Sequence, residues 1–176
     1  MRSPMALHRL APELPLPPYA YVPGGPHPHP TRDPAGHSYG RLRPAGEPLD
    51  PAHWEACRLY RYGLDLFNHG YYWEAHEAWE VLWHACGRCG VSADFLKALI
   101  ALAAAGVKRR EGRARGAQRH AQRAEALLDS VAQRLGPGAL HYLGLELGAL
   151  TEAARRLVAG ESVTAQPLTP CRSSRG

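Results

Sequence analysis

The stretch Tyr71-Tyr-Trp-Glu-Ala-His-Glu-Ala-Trp-Glu-Val-Leu-Trp83 decides the fold of this 176-residue chain. Its apolar residues recur at helical spacing, which predicts a helix over about 71–85. At about 100° per residue, one face of this helix carries Tyr72, His76, Trp79 and Trp83. The aromatic side chains on that face predict the packing centre of a helical domain, with His76 in the middle of the face.

Helical patterns extend on both sides of this segment. Before it, Asp50 is suited to cap a first helix that has Pro51 at its first position and ends near Asn68. After a loop at 87–90, the sequence predicts a buried third helix over 93–110, a fourth over 114–135 and a last one over 146–159. No segment alternates as a strand would. The chain is therefore predicted to be all-α, a compact irregular bundle of about five helices.

Proline separates an N-terminal extension from the bundle. Twelve of the 16 prolines lie in residues 1–49, and proline both fixes φ and lacks a hydrogen-bond donor, so this segment is predicted to be extended. We expect an extension at 1–49, a helical domain at 50–160 and a disordered tail at 161–176. Residues 19–40 are rich in aromatics and histidine, which favours a strap docked on the domain over a disordered arm.

Composition sets broad limits on location and partners. The net charge of +5 allows partners of either sign. The four cysteines do not form a secreted-type framework, so we expect free thiols in a reducing compartment. The N-terminus lacks the apolar run of a signal peptide, and the most apolar stretch, 95–107, contains Lys97 and is shorter than the roughly 18 residues of a membrane span. The sequence thus predicts a cytoplasmic protein without membrane contact.

His76 and Glu80 form the candidate site on the aromatic helix. A carboxylate four residues after a histidine can hydrogen-bond the ring, fix its tautomer or share a metal with it. Three interpretations stay open: a core histidine satisfied by Glu80, a functional pocket closed by the tryptophans, or a His76 that is more exposed than the helical pattern suggests. Glu77 and Glu74 are expected to turn further toward solvent.

The segment His76-Glu-Ala-Trp-Glu80 differs from the zincin motif His-Glu-x-x-His by a glutamate in place of the second histidine. A histidine and a glutamate can still hold a metal, but at least one more ligand is needed, and zincin-type hydrolysis is not expected. The strap offers His27, His29 and His37 as such ligands if it folds over this helix. Cys86-Gly-Arg-Cys89 lacks the second pair of a structural zinc site, and two unrelated loop cysteines are favoured.

A basic segment follows over 108–123. It contains Lys108 and six arginines against the single acidic residue Glu111. The two interpretations are a nucleic-acid surface and a solvated helix face, and the absence of interleaved aromatics favours the second. Lys108 is expected to extend toward solvent or to pair with a glutamate of the second helix.

The run Leu66-Phe-Asn-His-Gly-Tyr-Tyr-Trp-Glu-Ala-His-Glu-Ala-Trp-Glu-Val-Leu-Trp83, with residues 95–108 and 112–117, resembles the bacterial and archaeal family known as domain of unknown function 309. The resemblance covers about residues 54–130 and implies a compact multihelical domain, without an assigned activity. The positions that match the family pattern are Asn68, Gly70, Glu74, His76, Glu77, Glu80, Trp83 and Lys108.

Three functions follow as hypotheses, and no reaction is assigned. The first is a divalent metal or small molecule bound in a pocket around the aromatic helix, with candidates His76, Glu80, Glu77, Trp79, Trp83, Lys108, Asn68 and Glu74. The second is a helical interaction module, because residues 67–75 resemble one tetratricopeptide hairpin, although an array needs about three. The third is nucleic-acid binding through 108–123, which is not favoured. A homo-oligomer is compatible with the sequence.

Overall fold

The computed structural model describes residues 8–161 and 168–171. Its elements are a short 3-10 helix Trp54–Ala56, α1 Arg58–Asn68, α2 Tyr72–Ala85, α3 Val91–Arg110, α4 Ala114–Leu135, β1 His141–Tyr142, β2 Leu145–Glu146 and α5 Leu147–Ala159. The strands form one antiparallel hairpin in which His141 faces Glu146 and Tyr142 faces Leu145. The prediction of a compact bundle of five helices is confirmed.

Helix α3 is the central helix, as its nearly continuous apolar sequence predicts. It packs against α2, α4 and α5, and most of its residues from Ala93 to Val107 are buried. Two glycines permit the close approach of neighbouring elements. A Cβ at Gly106 would overlap the Tyr72 ring, and a Cβ at Gly63 of α1 would overlap the Trp79 indole. The aromatic face of α2 thus packs into positions that only glycine leaves open.

The first helix starts later than predicted. Asp50 does cap a turn, since its Oδ1 accepts a hydrogen bond from Ala52 N at 2.8 Å, but α1 begins at Arg58. Cys57 has an extended backbone (φ −74°, ψ 95°), which separates the short helix that ends at Ala56 from α1. The Trp54 ring is buried against Gly144 in the β-hairpin, so a tertiary contact determines this break. The hairpin was not predicted because two-residue strands are too short to show alternation.

The N-terminal extension lies along α1 and α2 and is anchored at several places, five of which follow. In chain order, the contacts are Leu10 and Ala11 with Asp65, Pro15 with Tyr62, Tyr21 with Glu74, Arg43 with Glu77, and Leu49 with Cys86. The side chain of Asp65 is buried and accepts from both backbone amides at 2.7 and 2.8 Å. The extension therefore covers the outer face of the α1–α2 hairpin.

The tail predicted at 161–176 lies mostly outside the described residues. Within residues 168–171, Leu168 is buried, and its backbone makes two hydrogen bonds with the Asn68 amide at 2.8 and 2.9 Å. Over the described ranges, none of the helices combines the length and apolarity that a membrane crossing requires.

Candidate metal centre and adjoining groove

His76 lies at the edge of the buried face of α2 and not in its middle. The centre of that face is formed by Ala75, Ala78, Trp79 and Leu82, all buried in the core. His76 follows Ala75 by about 100° of rotation, and its side chain is 30% exposed. His76 is therefore neither buried in the core nor surrounded by aromatic rings, and its imidazole is available to a ligand.

Three potential metal donors converge next to His76. Ligand atoms of His76, Glu77 and Glu80 lie within 4.8 Å of one another. The Nδ1 of His76 is 3.9 Å from Oε1 of Glu77, while Oε2 of Glu77 accepts a hydrogen bond from Arg43 at 2.7 Å. Glu77 is the third donor that the sequence left unassigned. The sequence placed Glu77 among the pocket candidates but not among the metal ligands, because helical rotation sets it away from the aromatic face.

Two of the three donors, His76 and Glu80, also line a groove between α2, α3 and α4. The groove has a volume of about 180 Å³. Its lining residues are His76, Glu80, Trp83, Lys97, Ile100, Ala101, Ala104, His120 and Arg123. Small and apolar residues of α3 lie between an acidic side from α2 and a basic side from α3 and α4.

Lys97, His120 and Arg123 form the basic side, which we call the basic wall. The ammonium of Lys97 lies 5.8 Å from the centroid of the Trp83 ring. Burial lowers the pKa of His120, and the nearby charges of Lys108, Arg123, Arg119 and His76 lower it further. Within the described residues, neither Lys97 nor Arg123 has a carboxylate partner within 4.0 Å. These cations are thus left free to meet a ligand.

The basic wall is not part of the site that the sequence predicts. His120 stands three residues after Ala117 and four before Ala124, both buried, so helical spacing already placed it beside the packed face of α4. Lys97 was noted only as an interruption of an apolar helix. Its position next to Trp83 depends on how α2 and α3 pack.

Glu74 was expected to turn toward solvent, and the structure corrects this. Its side chain is 6% exposed because the strap covers it, and Oε1 accepts a hydrogen bond from Tyr21 N at 2.8 Å. His37 Nε2 lies 3.3 Å from the same oxygen. Burial raises the pKa of the Glu74 carboxyl, while the bonds from Tyr21 and His37 partly offset that increase.

The strap histidines do not join the three donors. His37 contacts Glu74, His27 stacks on Tyr19 with ring centroids 4.4 Å apart, and His29 packs edge-on against Trp73. In the part of the chain that the structure describes, the one group of three metal-ligating side chains is the His76 group. The strap anchors on the neighbouring side of α2 instead.

Three other predicted pocket residues lie apart from the groove. Asn68 bonds the backbone of Leu168, and Trp79 is fully buried between α1 and α3. Lys108 pairs with Glu111 at 2.9 Å and not with a glutamate of α2. Arg113 shares Glu111 at 3.2 Å.

All four cysteines are free thiols.

Comparison with known families gives one match. The model of the family described as "Domain of unknown function (DUF309)" matches residues 60–120, which confirms the resemblance predicted from the sequence. That range extends from α1 into α4 and contains the three donors, Lys97 and His120. Searches of curated proteins and of solved structures return no significant match.

Proposed function

We propose that this chain, whose residues 60–120 carry the domain of unknown function 309, binds a divalent metal ion through His76, Glu77 and Glu80. The observation that carries the proposal is the convergence of one imidazole and two carboxylates within 4.8 Å. The adjoining groove then gives a second, small ligand access to the metal.

The donor set defines the class of metal. Imidazole nitrogen suits zinc, iron and similar ions, whereas carboxylate oxygen also suits manganese and magnesium. A mixed set with one nitrogen therefore favours a first-row transition ion such as Mn²⁺, Fe²⁺ or Zn²⁺ over Ca²⁺. Three protein ligands leave at least one coordination position open, which is typical of sites that act on a ligand rather than stabilise a fold.

Modest side-chain movement would complete the site. Donor atoms bound at about 2.1 Å from one ion lie roughly 3.0–3.4 Å from one another. The ligand atoms of the three donors now lie within 4.8 Å of one another, so they would have to move closer together. Glu77 and Glu80 are partly exposed, so their carboxylates can rotate toward His76 at small cost. Glu77 would keep Oε2 on Arg43 and offer Oε1, which already faces the imidazole.

The two other functions have less support. The outer face of the α1–α2 hairpin, which an interaction module of the tetratricopeptide kind would present to a partner, is covered by the chain's own extension. In the basic segment 108–123, Lys108 and Arg113 are paired with Glu111, and Arg110 lies over the Tyr72 ring at 5.1 Å. Fewer cations thus remain for a nucleic-acid backbone.

Titration calorimetry with Mn²⁺ and Zn²⁺, on metal-stripped protein without an affinity tag, tests the proposal. We expect one ion per chain, with binding lost in His76→Ala and weakened about tenfold or more in Glu77→Gln and Glu80→Gln. His84→Ala is the matched control, because His84 lies on the same helix outside the donor group and is exposed. Equal binding by the wild type and His76→Ala would refute the proposal.

A further inference from the structure

The groove next to the three donors carries more cationic than anionic groups. Among its lining residues, Lys97 and Arg123 are permanent cations and Glu80 is a carboxylate. If a divalent ion is bound, Glu77 and Glu80 neutralise it, and the charges of Lys97 and Arg123 remain. A ligand that enters the groove therefore meets two uncompensated positive charges.

The volume of the groove limits the size of that ligand. About 180 Å³ corresponds to roughly six water molecules at about 30 Å³ each. This space holds a phosphate group with a short substituent. The apolar floor, made by Ile100, Ala101 and Ala104, offers no hydrogen-bonding side chain, so polar recognition has to come from the walls.

The polar groups come from three different helices. The three donors belong to α2, Lys97 to α3, and His120 and Arg123 to α4. Groups that approach from three directions match the separate oxygens of a tetrahedral anion better than the single plane of a carboxylate. Lys97 is a point-charge donor and Arg123 a forked one, and both are common partners of phosphate oxygens.

Lys97 is also held in place in a way that suits this role. Its side chain is half-buried, and its ammonium rests on the Trp83 ring, which is itself part of the groove. A cation that is partly desolvated without a carboxylate partner is costly. An anionic ligand would supply the missing partner at this position.

We propose that the groove binds the phosphoryl group of a small phosphorylated metabolite, with Lys97, His120 and Arg123 contacting its oxygens and the metal at His76, Glu77 and Glu80 completing the set. This inference rests on the proposed metal site for one of its contacts, whereas the basic wall provides the others independently.

Calorimetric titration of inorganic phosphate into protein with and without saturating Mn²⁺ tests the inference. Phosphorus NMR reports in parallel whether Mn²⁺ broadens the phosphate resonance. We expect phosphate to bind one per chain, about tenfold weaker in Lys97→Met and in Arg123→Gln, because each variant removes one charge-assisted hydrogen bond. Mn²⁺ binding should persist in both variants. Arg115→Gln, an exposed charge loss on α4 outside the groove, should leave phosphate binding unchanged.

The outcomes separate the two proposals. Phosphate binding that depends on Lys97 and Arg123 but not on Mn²⁺ would support the basic wall as the phosphoryl site and remove the metal from its contacts, while failure of Mn²⁺ to bind at all would remove the metal site alone. Mn²⁺ binding without phosphate binding, or phosphate binding unaffected by both variants, would overturn the phosphoryl site alone. Malonate serves as the planar dicarboxylate probe, and tighter binding of malonate than of phosphate would also overturn it.

Discussion

His37 Nε2 lies 3.3 Å from Glu74 Oε1, and both side chains are buried where the strap crosses α2. The two residues are 37 positions apart in the chain. The same carboxylate oxygen accepts the backbone N–H of Tyr21. One glutamate of α2 therefore fixes two separate points of the strap.

Removal of this anchor should release the strap. Glu74→Ala leaves the buried Tyr21 N–H without an acceptor, at a cost of about 1–3 kcal/mol, and Glu74→Gln should cost less because it keeps an oxygen there. We expect faster cleavage within residues 19–40 by proteinase K in Glu74→Ala and His37→Ala. Arg32→Ala, which truncates an exposed strap residue, is the control. Cleavage at the wild-type rate in both variants would show that other contacts hold the strap.

The close packing of α1 on α2 gives a second prediction. Gly63→Ala places a methyl group in the Trp79 indole, and overpacking of this kind costs about 1–3 kcal/mol. Gly148→Ala, in the first turn of α5, meets only open space and the flexible end of Glu146, and should stabilise by up to about 1 kcal/mol. Urea unfolding of both variants measures the opposite signs. A neutral Gly63→Ala would mean that α1 can move away from α2.

Alkaline pH should weaken the fold through Tyr60. Burial raises the pKa of its phenol well above the ordinary value of 10.0, and the hydroxyl donates to Leu143 O at 2.9 Å. The unfolded chain therefore ionises first, so the free energy of unfolding falls as pH rises above about 10. Tyr60→Phe should cost about 1 kcal/mol at neutral pH but reduce this alkaline slope. Tyr39→Phe, at an exposed tyrosine, should leave the slope unchanged.

Local sequence signals were sufficient for most of the helices and insufficient for the site. The predicted limits of α2 and α4 agree with the structure to within a residue, because glycines and helical periodicity are encoded locally. Glu74 was misplaced because its burial depends on a strap that comes from some 50 residues earlier in the chain. Likewise, Lys97 and His120 join the groove only through the packing of three helices, which periodicity within each helix does not specify.

The contact of Asn68 with Leu168 is expected to be structural. Asn68→Ala removes two buried hydrogen bonds and should destabilise the protein by about 2 kcal/mol without altering metal binding. Leu168→Ala keeps the backbone groups that bond Asn68 but removes the buried side chain that holds the same segment in place, so the double variant should cost less than the two single variants added together. Urea unfolding of the four proteins gives the coupling energy. Loss of Mn²⁺ binding in Asn68→Ala would instead connect this residue to the site.

Arg43 gives the sharpest test of Glu77 as a metal ligand. Its guanidinium bonds Glu77 Oε2 at 2.7 Å and is largely exposed, so the ion pair contributes at most about 1 kcal/mol. A metal that uses Glu77 must share the carboxylate with this arginine. Arg43→Met should therefore tighten Mn²⁺ binding by up to about fivefold in calorimetry. Arg41→Met removes the same charge from the N-terminal extension without breaking an ion pair in the described residues, so it isolates the general electrostatic effect. Equal affinities for the two variants would show that the Arg43 ion pair does not oppose metal binding at Glu77, whereas a gain confined to Arg43→Met would show that the N-terminal extension competes with the metal for this carboxylate.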